Sequence, residues 1–323
     1  MPRPGGGLLT RVAVTLGDAR GIGPEIVVAA LQPAAAFHPA PEFIVVGPTG
    51  TVADTLSGEF LSVGAWSPSD EIAHAGRLAG AAIERAVRLA LDGYVQAIVT
   101  APIDKAALHA GGFDFPGHTE MLAALSGAAD VSMLMSAEET VLGGPLRVVL
   151  ATTHVPLADV PRLVTADLLV RQTRILNEAL RRGWAMERPR IAMCAFNPHA
   201  SDDGLFGDEE ARIYAPALAT LRATGIDARG PFPADTVFLR TARGEFDAVV
   251  APYHDVGMAA FKTAAFGSGV NVTLGLPFVR TSPDHGVALD IAGQNRADPA
   301  SMIEAIRLAL QLAVTHHYEN VAR

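Results

Sequence analysis

Short, continuously apolar runs alternate along the chain with longer amphipathic segments, and this pattern constrains the fold most strongly. The apolar runs are those at 12–16, 43–46, 97–99, 146–153, 191–196 and 248–253. Amphipathic segments such as 75–91 and 165–182 are typical of helices. Strands that are apolar on both faces belong to sheets that helices cover on both sides. The sequence therefore predicts an α/β fold with a mostly parallel sheet.

Composition narrows the class of protein. The 323 residues, half of them hydrophobic, favour two domains. A net charge of −9 argues against a nucleic-acid partner, which requires clustered Lys and Arg. The single cysteine, Cys194, excludes a disulfide framework and fits a reducing compartment. Without an apolar signal-peptide core in 1–11 or a membrane-length apolar run, we expect a soluble cytoplasmic protein that binds no membrane.

Three apolar strands each end in a histidine. The run at 146–153 leads to His154, the run at 191–196 to His199 within Asn-Pro-His, and the run at 248–253 to His254. Ligands of open α/β sheets bind outside the carboxyl ends of the strands, where three imidazoles could converge. Three histidines with open coordination positions are typical of a catalytic divalent-metal site. Each histidine taken alone is more often structural, and the repeated placement favours the metal site.

A second polar motif precedes an apolar helix. Gly117-His118-Thr119-Glu120 leads into MLAAL, and Thr119 is a candidate N-cap. Free backbone N–H groups and the helix dipole stabilise a phosphate at such a position. The motif predicts an anion site that includes His118, although an ordinary capped helix with a surface histidine fits the motif equally well.

Polar residues are spread through the apolar segment 247–293. Lys262, Asn271 and Arg280 follow His254 without a helical or strand period, which predicts loops placed over a site. We interpret them as an anion clamp beside the metal ligand. Upstream, Asp235 lies in Pro-Ala-Asp-Thr, where it could orient a histidine, touch a metal or cap a helix.

Two glycines, Gly21 and Gly23, follow the first predicted strand. Their spacing lacks the rest of a dinucleotide-binding fingerprint, and a tight turn explains them equally well. The sequence therefore assigns no residue to cofactor binding.

Seven segments occur in order along nearly the whole chain: GDARGIGPEI, TAPIDKAALHAGGFDFPGHTEMLA, LATTHVPLADV, FNPHASDDGLFGDEE, GPFPADTVF, APYHDVGMAAFK and GVNVTLGLPFVRTSPDHGVALDIAG. Together they resemble the motifs of the 4-hydroxythreonine-4-phosphate dehydrogenase family. The resemblance implies the isocitrate/isopropylmalate-dehydrogenase-like fold, with two α/β domains and a cleft between them. We place these domains at 1–125 with 275–323 and at 126–274, the second carrying the histidines.

The resemblance also implies how the site is built. It makes His154, His199 and His254 the ligands of a divalent metal (zinc, magnesium or cobalt), with one ligand coming from the other subunit of a homodimer. The substrate contacts are then His118, Thr119, Lys262, Asn271 and Arg280, and the cofactor is NAD or NADP. Lys262 is the candidate proton acceptor, and a charge contact to the substrate is the alternative.

The implied reaction is oxidation of 4-phosphohydroxy-L-threonine and decarboxylation to 3-amino-2-oxopropyl phosphate during pyridoxal phosphate synthesis. Departures from the family pattern, such as Arg20 in place of a common Ala, leave the substrate open. The alternatives are erythronate or threonate 4-phosphate and, less favoured, an aromatic cis-dihydrodiol. A phosphoanion-binding protein without catalysis is the rival from another class.

Overall fold

The computed structural model describes residues 10–32 and 41–321. Residues 1–9, most of the stretch in which the sequence predicts no signal peptide, lie outside this range. The chain forms two compact units, the first made of residues up to Ala128 and from Leu276 onward, the second of Ala129–Gly275. The predicted domains stay a prediction, because two compact units need not fold independently. Among the described helices, none is long and apolar enough to cross a membrane.

Strands and helices alternate through most of the described residues. The strands are β1 Arg11–Thr15, β2 Glu42–Thr49, β3 Glu59–Ala65, β4 Ala97–Thr100, β5 Ser132–Ala137, β6 Leu146–Leu150, β7 Arg190–Cys194, β8 Asp227–Phe232, β9 Ala248–Ala251, β10 Val270–Leu274 and β11 Val279–Pro283. The α-helices are α1 Gly23–Leu31, α2 Ile72–Leu91, α3 Lys105–Ala110, α4 His118–Ser126, α5 Val160–Leu163, α6 Ala166–Gly183, α7 Ala215–Ala223, α8 Ala234–Ala242, α9 His254–Ala265 and α10 Ala300–Val321.

In the first unit, the strands run parallel in the order β3-β2-β1-β4-β11. β4 is buried along its whole length, as its continuously apolar sequence predicts. Helix α2 packs against β1 and β2, and α10 packs against β4 and β11. Both helices bury their apolar faces on the sheet, which is the arrangement that buried parallel strands require.

In the second unit, the strand order is β10-β5-β6-β9-β7-β8. β5 is antiparallel to both of its neighbours, and the remaining pairs are parallel. β9 pairs with β6 on one side and with β7 on the other. The core between these strands and helices α8 and α9 contains Leu146, Val148, Phe246, Val249 and Phe261.

Most predicted elements are confirmed. The α/β class and the mostly parallel sheet are observed, and all six predicted strands form, β6 being three residues shorter than its apolar run. The helix predicted at 165–182 is α6, and the Thr165 hydroxyl accepts the backbone N–H of Leu168 at 3.1 Å as its N-cap. An N-cap of this kind satisfies an N–H that has no partner inside the helix.

The prediction of loops after His254 is wrong. Residues 254–265 form α9, and Asn271 and Arg280 lie within β10 and β11. α9 is rich in Gly and Ala, so its sequence shows no clear apolar stripe, yet small residues let the helix approach the sheet closely. A Cβ on Gly257 would lie 2.4 Å from Leu150 Cδ2. β11 is buried along its whole length and therefore shows no alternation.

The contact between α2 and α3 depends on a glycine. A Cβ on Gly76 would lie 1.7 Å from the carbonyl oxygen of Ala107. Because the clash is with backbone, we expect Gly76→Ala to lower the free energy of unfolding by about 2 kcal/mol or more. Chemical denaturation measures this change. Gly286→Ala is the control, since a Cβ there would meet nothing within 4 Å, and equal stabilities of the two variants would contradict the predicted clash.

Candidate active site

Two of the predicted metal ligands lie together in the second unit. β6 and β9 are parallel neighbours with Leu150 opposite Ala251, so the chain leaves both strands at the same edge of the sheet. The rings of His154 and His254 lie 5.5 Å apart between centroids, with 43° between their planes. They line a pocket of about 180 Å³, whose other lining residues are Thr152, Val155, Leu157, Val160, Tyr253 and Asp255.

The spacing of the histidine pair is compatible with two ligands of one metal ion. With zinc–nitrogen bonds of about 2.0–2.1 Å, two imidazoles on one tetrahedral ion lie roughly 5 Å apart between centroids. The Asp255 carboxylate accepts a hydrogen bond from His254 Nδ1 at 2.7 Å, which leaves Nε2 with its lone pair for a ligand bond. His154 has a left-handed backbone with φ of 50°. Such strain in a residue other than glycine is concentrated at functional sites.

The structure does not bring His199 to this pair. Among the described residues, no three His, Cys, Asp or Glu side chains come close enough to hold a metal ion. The expectation that three imidazoles converge within one chain is therefore not met. The reason is local, because the chain after β7 enters a left-handed turn at His199, whose ring lies 6.3 Å from that of Phe206. The role of His199 as a ligand stays a prediction.

The GHTE motif lies at the start of α4 in the first unit. His118 is the first helical residue and Gly117 is the N-cap, so the prediction that Thr119 caps the helix is wrong by two positions. A Cβ on Gly117 would lie only 3.5 Å from Lys105 Cε, which places the lysine at the same helix end. His118 Nε2 is buried without a hydrogen-bond partner among the described residues. The helix end therefore offers backbone donors, an imidazole and an ammonium group.

A buried arginine adds positive charge to this helix end. Arg280 is only 2% exposed on β11, and it donates a hydrogen bond to the Thr100 hydroxyl at 2.6 Å. Burial lowers the pKa of Arg280 to about 9, so the guanidinium remains charged at neutral pH. Burial, followed by the positive charges of Arg280 and Lys105, lowers the pKa of His118 well below its usual value. His118 is therefore neutral at pH 7, and His118, Lys105 and Arg280 together form a site suited to an anion.

Lys105 is a site residue that the sequence reasoning missed. It begins α3 five residues after Thr100, the carboxyl end of β4, a position like that of the histidines after their strands, and the segment APIDK carries that signal. Asp104 caps α3 by accepting the N–H of Ala106 at 2.9 Å. Arg20 braces Asp104 at 2.7 Å and Asp18 at 2.6 Å. The arginine that departs from the family pattern thus supports the helix that presents Lys105.

The remaining predicted residues lie on regular elements. Lys262 is on α9, with its Nζ 5.9 Å from the centre of the Phe266 ring. Asn271 is on β10, and its Oδ1 is buried without a hydrogen-bond partner among the described residues. Asp235 is exposed in the first turn of α8, whose N-cap is Pro233, so the capping alternative for Asp235 is wrong.

The predicted glycine turn is also observed. The Gly21 N–H donates to the Asp18 carbonyl at 3.0 Å, and a Cβ on Gly23 would lie 2.2 Å from the Leu16 carbonyl oxygen. These contacts explain both glycines by close backbone packing.

Known proteins share the sequence and the fold of this chain. Residues 50–309 match the family described as pyridoxal phosphate biosynthetic protein PdxA. The chain belongs to this family. The 4-hydroxythreonine-4-phosphate dehydrogenase of Burkholderia vietnamiensis is 43% identical over 94% of this chain and 96% of its own length. The D-threonate 4-phosphate dehydrogenase of Cupriavidus necator is 42% identical over 94% of this chain and 97% of its own length.

Solved structures agree with this membership in the PdxA family. The crystal structure of 4-hydroxythreonine-4-phosphate dehydrogenase from Klebsiella pneumoniae has a TM-score of 0.80 and 40% identity, covering 94% of this chain and 99% of that one. An isocitrate dehydrogenase from Methylococcus capsulatus has a TM-score of 0.52 at 15% identity, covering 97% of this chain and 88% of that one. The predicted family and the isocitrate-dehydrogenase-like fold are therefore confirmed.

The lowered pKa of His118 makes stability depend on pH in this PdxA-family protein. Below the ordinary histidine pKa of about 6.5, the unfolded chain binds a proton that the folded His118 does not. Folded-state stability is therefore lost as pH falls, and we expect His118→Gln to reduce the loss between about pH 6.5 and 5. Thermal midpoints across this range measure the effect, with exposed His109→Gln as the control. Parallel pH profiles for His118→Gln and the unmodified protein would contradict the assignment.

Proposed function

We propose that this protein oxidises 4-phosphohydroxy-L-threonine with NAD or NADP and that decarboxylation yields 3-amino-2-oxopropyl phosphate for pyridoxal phosphate synthesis. The observation that carries the proposal is the oriented pair of His154 and His254 at the carboxyl edge of β6 and β9, in a chain of the PdxA family. The similar protein of Burkholderia vietnamiensis bears the name of this dehydrogenase. We expect the enzyme to act in the cytoplasm.

The substrate phosphate has candidate partners in the first unit. His118, Lys105 and Arg280 combine a neutral imidazole with two positive charges, and the N-terminus of α4 adds backbone donors. In a protein with a net charge of −9, such a local cluster is needed to attract an anion. Thr119 in the first turn of α4 and Asn271 on β10 are further proposed substrate contacts.

His154 and His254 are proposed to hold a divalent metal, with His199 as the third ligand. Imidazole ligands favour zinc or cobalt over magnesium. The chemistry that such an ion supplies is Lewis-acid catalysis, which acidifies the substrate hydroxyl and stabilises negative charge as CO2 leaves. Lys262 is the proposed acceptor of the hydroxyl proton, and Asp235 is the other candidate for a role in catalysis. Asp255 fixes the His254 ring.

A homodimer explains why His199 lies apart from the other two histidines. Exposed apolar side chains follow both ligand positions, with Leu205 72% exposed after His199 and Leu157 66% exposed after His154. Phe206 and Val155 extend these two apolar surfaces. Apolar groups flanking polar ligands are typical of a surface that a partner covers. We therefore propose that His199 completes the metal site of the other subunit.

Oxidation of a phosphorylated sugar acid is the second candidate function. The D-threonate 4-phosphate dehydrogenase of Cupriavidus necator is almost as similar to this chain as the hydroxythreonine phosphate enzyme. Both substrates carry the phosphate that His118, Lys105 and Arg280 suit, whereas an aromatic cis-dihydrodiol carries none. The dihydrodiol is therefore the less favoured alternative.

Substrate comparison tests the proposed function. NADH or NADPH formation is measured with added cobalt or zinc and with 4-phosphohydroxy-L-threonine, D-erythronate 4-phosphate or D-threonate 4-phosphate. We expect kcat/KM for the amino substrate to exceed the others by about 100-fold, because a site built for an ammonium group leaves polar partners unsatisfied when a hydroxyl replaces it. A preference for a sugar acid would favour the second candidate. Turnover of none of them would favour the aromatic cis-dihydrodiol or the non-catalytic phosphoanion-binding protein.

Mixing variants tests the shared metal site. His199→Ala and His254→Ala should each lower turnover by orders of magnitude, because every ligand of an open catalytic site is needed. If His199 serves the other subunit, dissociated and reassociated mixtures of the two variants contain one intact site per heterodimer and regain about a quarter of full turnover. The control mixture of His154→Ala with His254→Ala should stay inactive. Equal inactivity of both mixtures would contradict the shared site.

A further inference from the structure

A buried carboxylate lies under the chain that carries His199. Glu210 is only 7% exposed, and its Oε1 accepts the backbone N–H of Phe196 at 2.9 Å and of Asn197 at 2.7 Å. Its Oε2 accepts the side-chain amide of Asn197 at 2.9 Å. All three donors belong to Phe196 and Asn197, the two residues directly before the Pro198-His199 pair. A carboxylate that accepts three hydrogen bonds holds this segment firmly, since hydrogen bonds to charged groups are stronger than those between neutral groups.

The segment that begins at His199 is strained. Five consecutive residues, none of them glycine, have positive φ, with values between 45° and 74° across 199–203. The left-handed conformation is sterically unfavourable for each such residue. It persists only where the surrounding structure holds it in place. The direction in which His199 points therefore depends on contacts that fix both ends of this turn.

Glu209 and Ser201 add further contacts that hold the same loop. Glu209 Oε2 accepts the same Asn197 amide at 2.7 Å, and the Ser201 hydroxyl donates to the Gly207 carbonyl. A Cβ on Gly207 would lie 2.6 Å from Glu209 Oε2 and 2.7 Å from Asn197 Nδ2, so the loop closes tightly on the carboxylates. A π-helical turn at Glu210–Tyr214 starts here, a geometry that is common at functional sites.

We propose that Glu210 is a positioning residue that holds the left-handed turn and thereby presents His199 as a metal ligand. The role rests on the proposed function of His199. Glu210 touches neither substrate nor metal; it sets the backbone from which the imidazole projects. Glu209 assists by sharing the Asn197 amide. Loss of the Glu210 hydrogen bonds should therefore weaken metal binding, while an enzyme saturated with metal retains its turnover rate.

The test is Glu210→Gln. Glutamine keeps an oxygen for the two backbone N–H groups but turns an NH2 toward the Asn197 NH2, so one bond is lost and two donors face each other. We expect Co²⁺ affinity, measured by calorimetric titration without substrate or cofactor, to fall about 10- to 100-fold. At saturating Co²⁺, kcat should stay within about two-fold of the unmodified enzyme, since the ligands themselves are unchanged. Glu209→Gln perturbs the shared Asn197 bond and the ion pair with Arg212 at 3.8 Å but leaves the Glu210 bonds in place, so it should show a smaller loss. It covers the case in which Glu210→Gln fails to fold.

Asp247→Asn is the matched control. Asp247 is also a partly buried carboxylate that accepts a backbone N–H, from Arg190 at 2.7 Å, but it lies at the opposite end of β7. The Asp247→Asn substitution should lower the free energy of unfolding without changing the affinity for Co²⁺. If Glu210→Gln binds Co²⁺ as Asp247→Asn does while His199→Ala loses binding, Glu210 has no positioning role and the metal site stands. If His199→Ala binds Co²⁺ normally, His199 is no metal ligand. Both the shared metal site and the positioning role of Glu210 are then wrong. Loss of kcat in Glu210→Gln that excess Co²⁺ does not restore would also overturn the positioning role.

Discussion

The parallel pairing of β9 with both β6 and β7 is the constraint on which the second unit depends. Parallel strands end at the same edge, so the segments that leave β6, β9 and β7 all begin there. What each segment does next decides whether its histidine can join a site. His254 starts a helix at once, and His154 is turned by a positive φ, so their rings meet. The segment after β7 instead passes over Glu210 into a left-handed turn.

An anion site without its ligand carries a free-energy cost of desolvation, and the candidate anion site of the first unit illustrates this cost. Burying a guanidinium and an imidazole removes them from water, and both pKa values fall in consequence. Moving a positive charge out of water is costly, and hydrogen bonds such as the one from Arg280 to the Thr100 hydroxyl offset part of this cost. The phosphate proposed to bind here would supply the opposite charge. Arg20 offsets a similar cost for nearby negative charge. It donates hydrogen bonds to the carboxylates of Asp18 and Asp104 beside that site and so stabilises them.

The sequence predicts those strands and site residues whose signal lies in neighbouring residues of the chain. Continuous apolar runs identified β6, β7 and β9, and histidines at their ends identified the edge that holds the pocket. The helix α9 and the strands β10 and β11 were missed because small or fully buried residues show no period. Whether His154 and His199 share a pocket depends on backbone conformation after the strand, and positive φ in non-glycine residues has no reliable sequence signal. Lys105 was recoverable, since it follows β4 as the histidines follow their strands.

The separation of His199 from the other histidines also bears on how such a site can be regulated. A ligand set completed by a second subunit, as proposed for His199, binds metal more tightly in the dimer, so metal affinity and subunit association would be linked and each would strengthen the other. The left-handed turn then has a thermodynamic role. A rigid turn presents His199 without an ordering cost at the moment of association, whereas a flexible loop would lose conformational entropy for each residue fixed. The strain held by Glu210 in the free subunit is, in this view, the cost of a ligand that is already in position before the partner arrives.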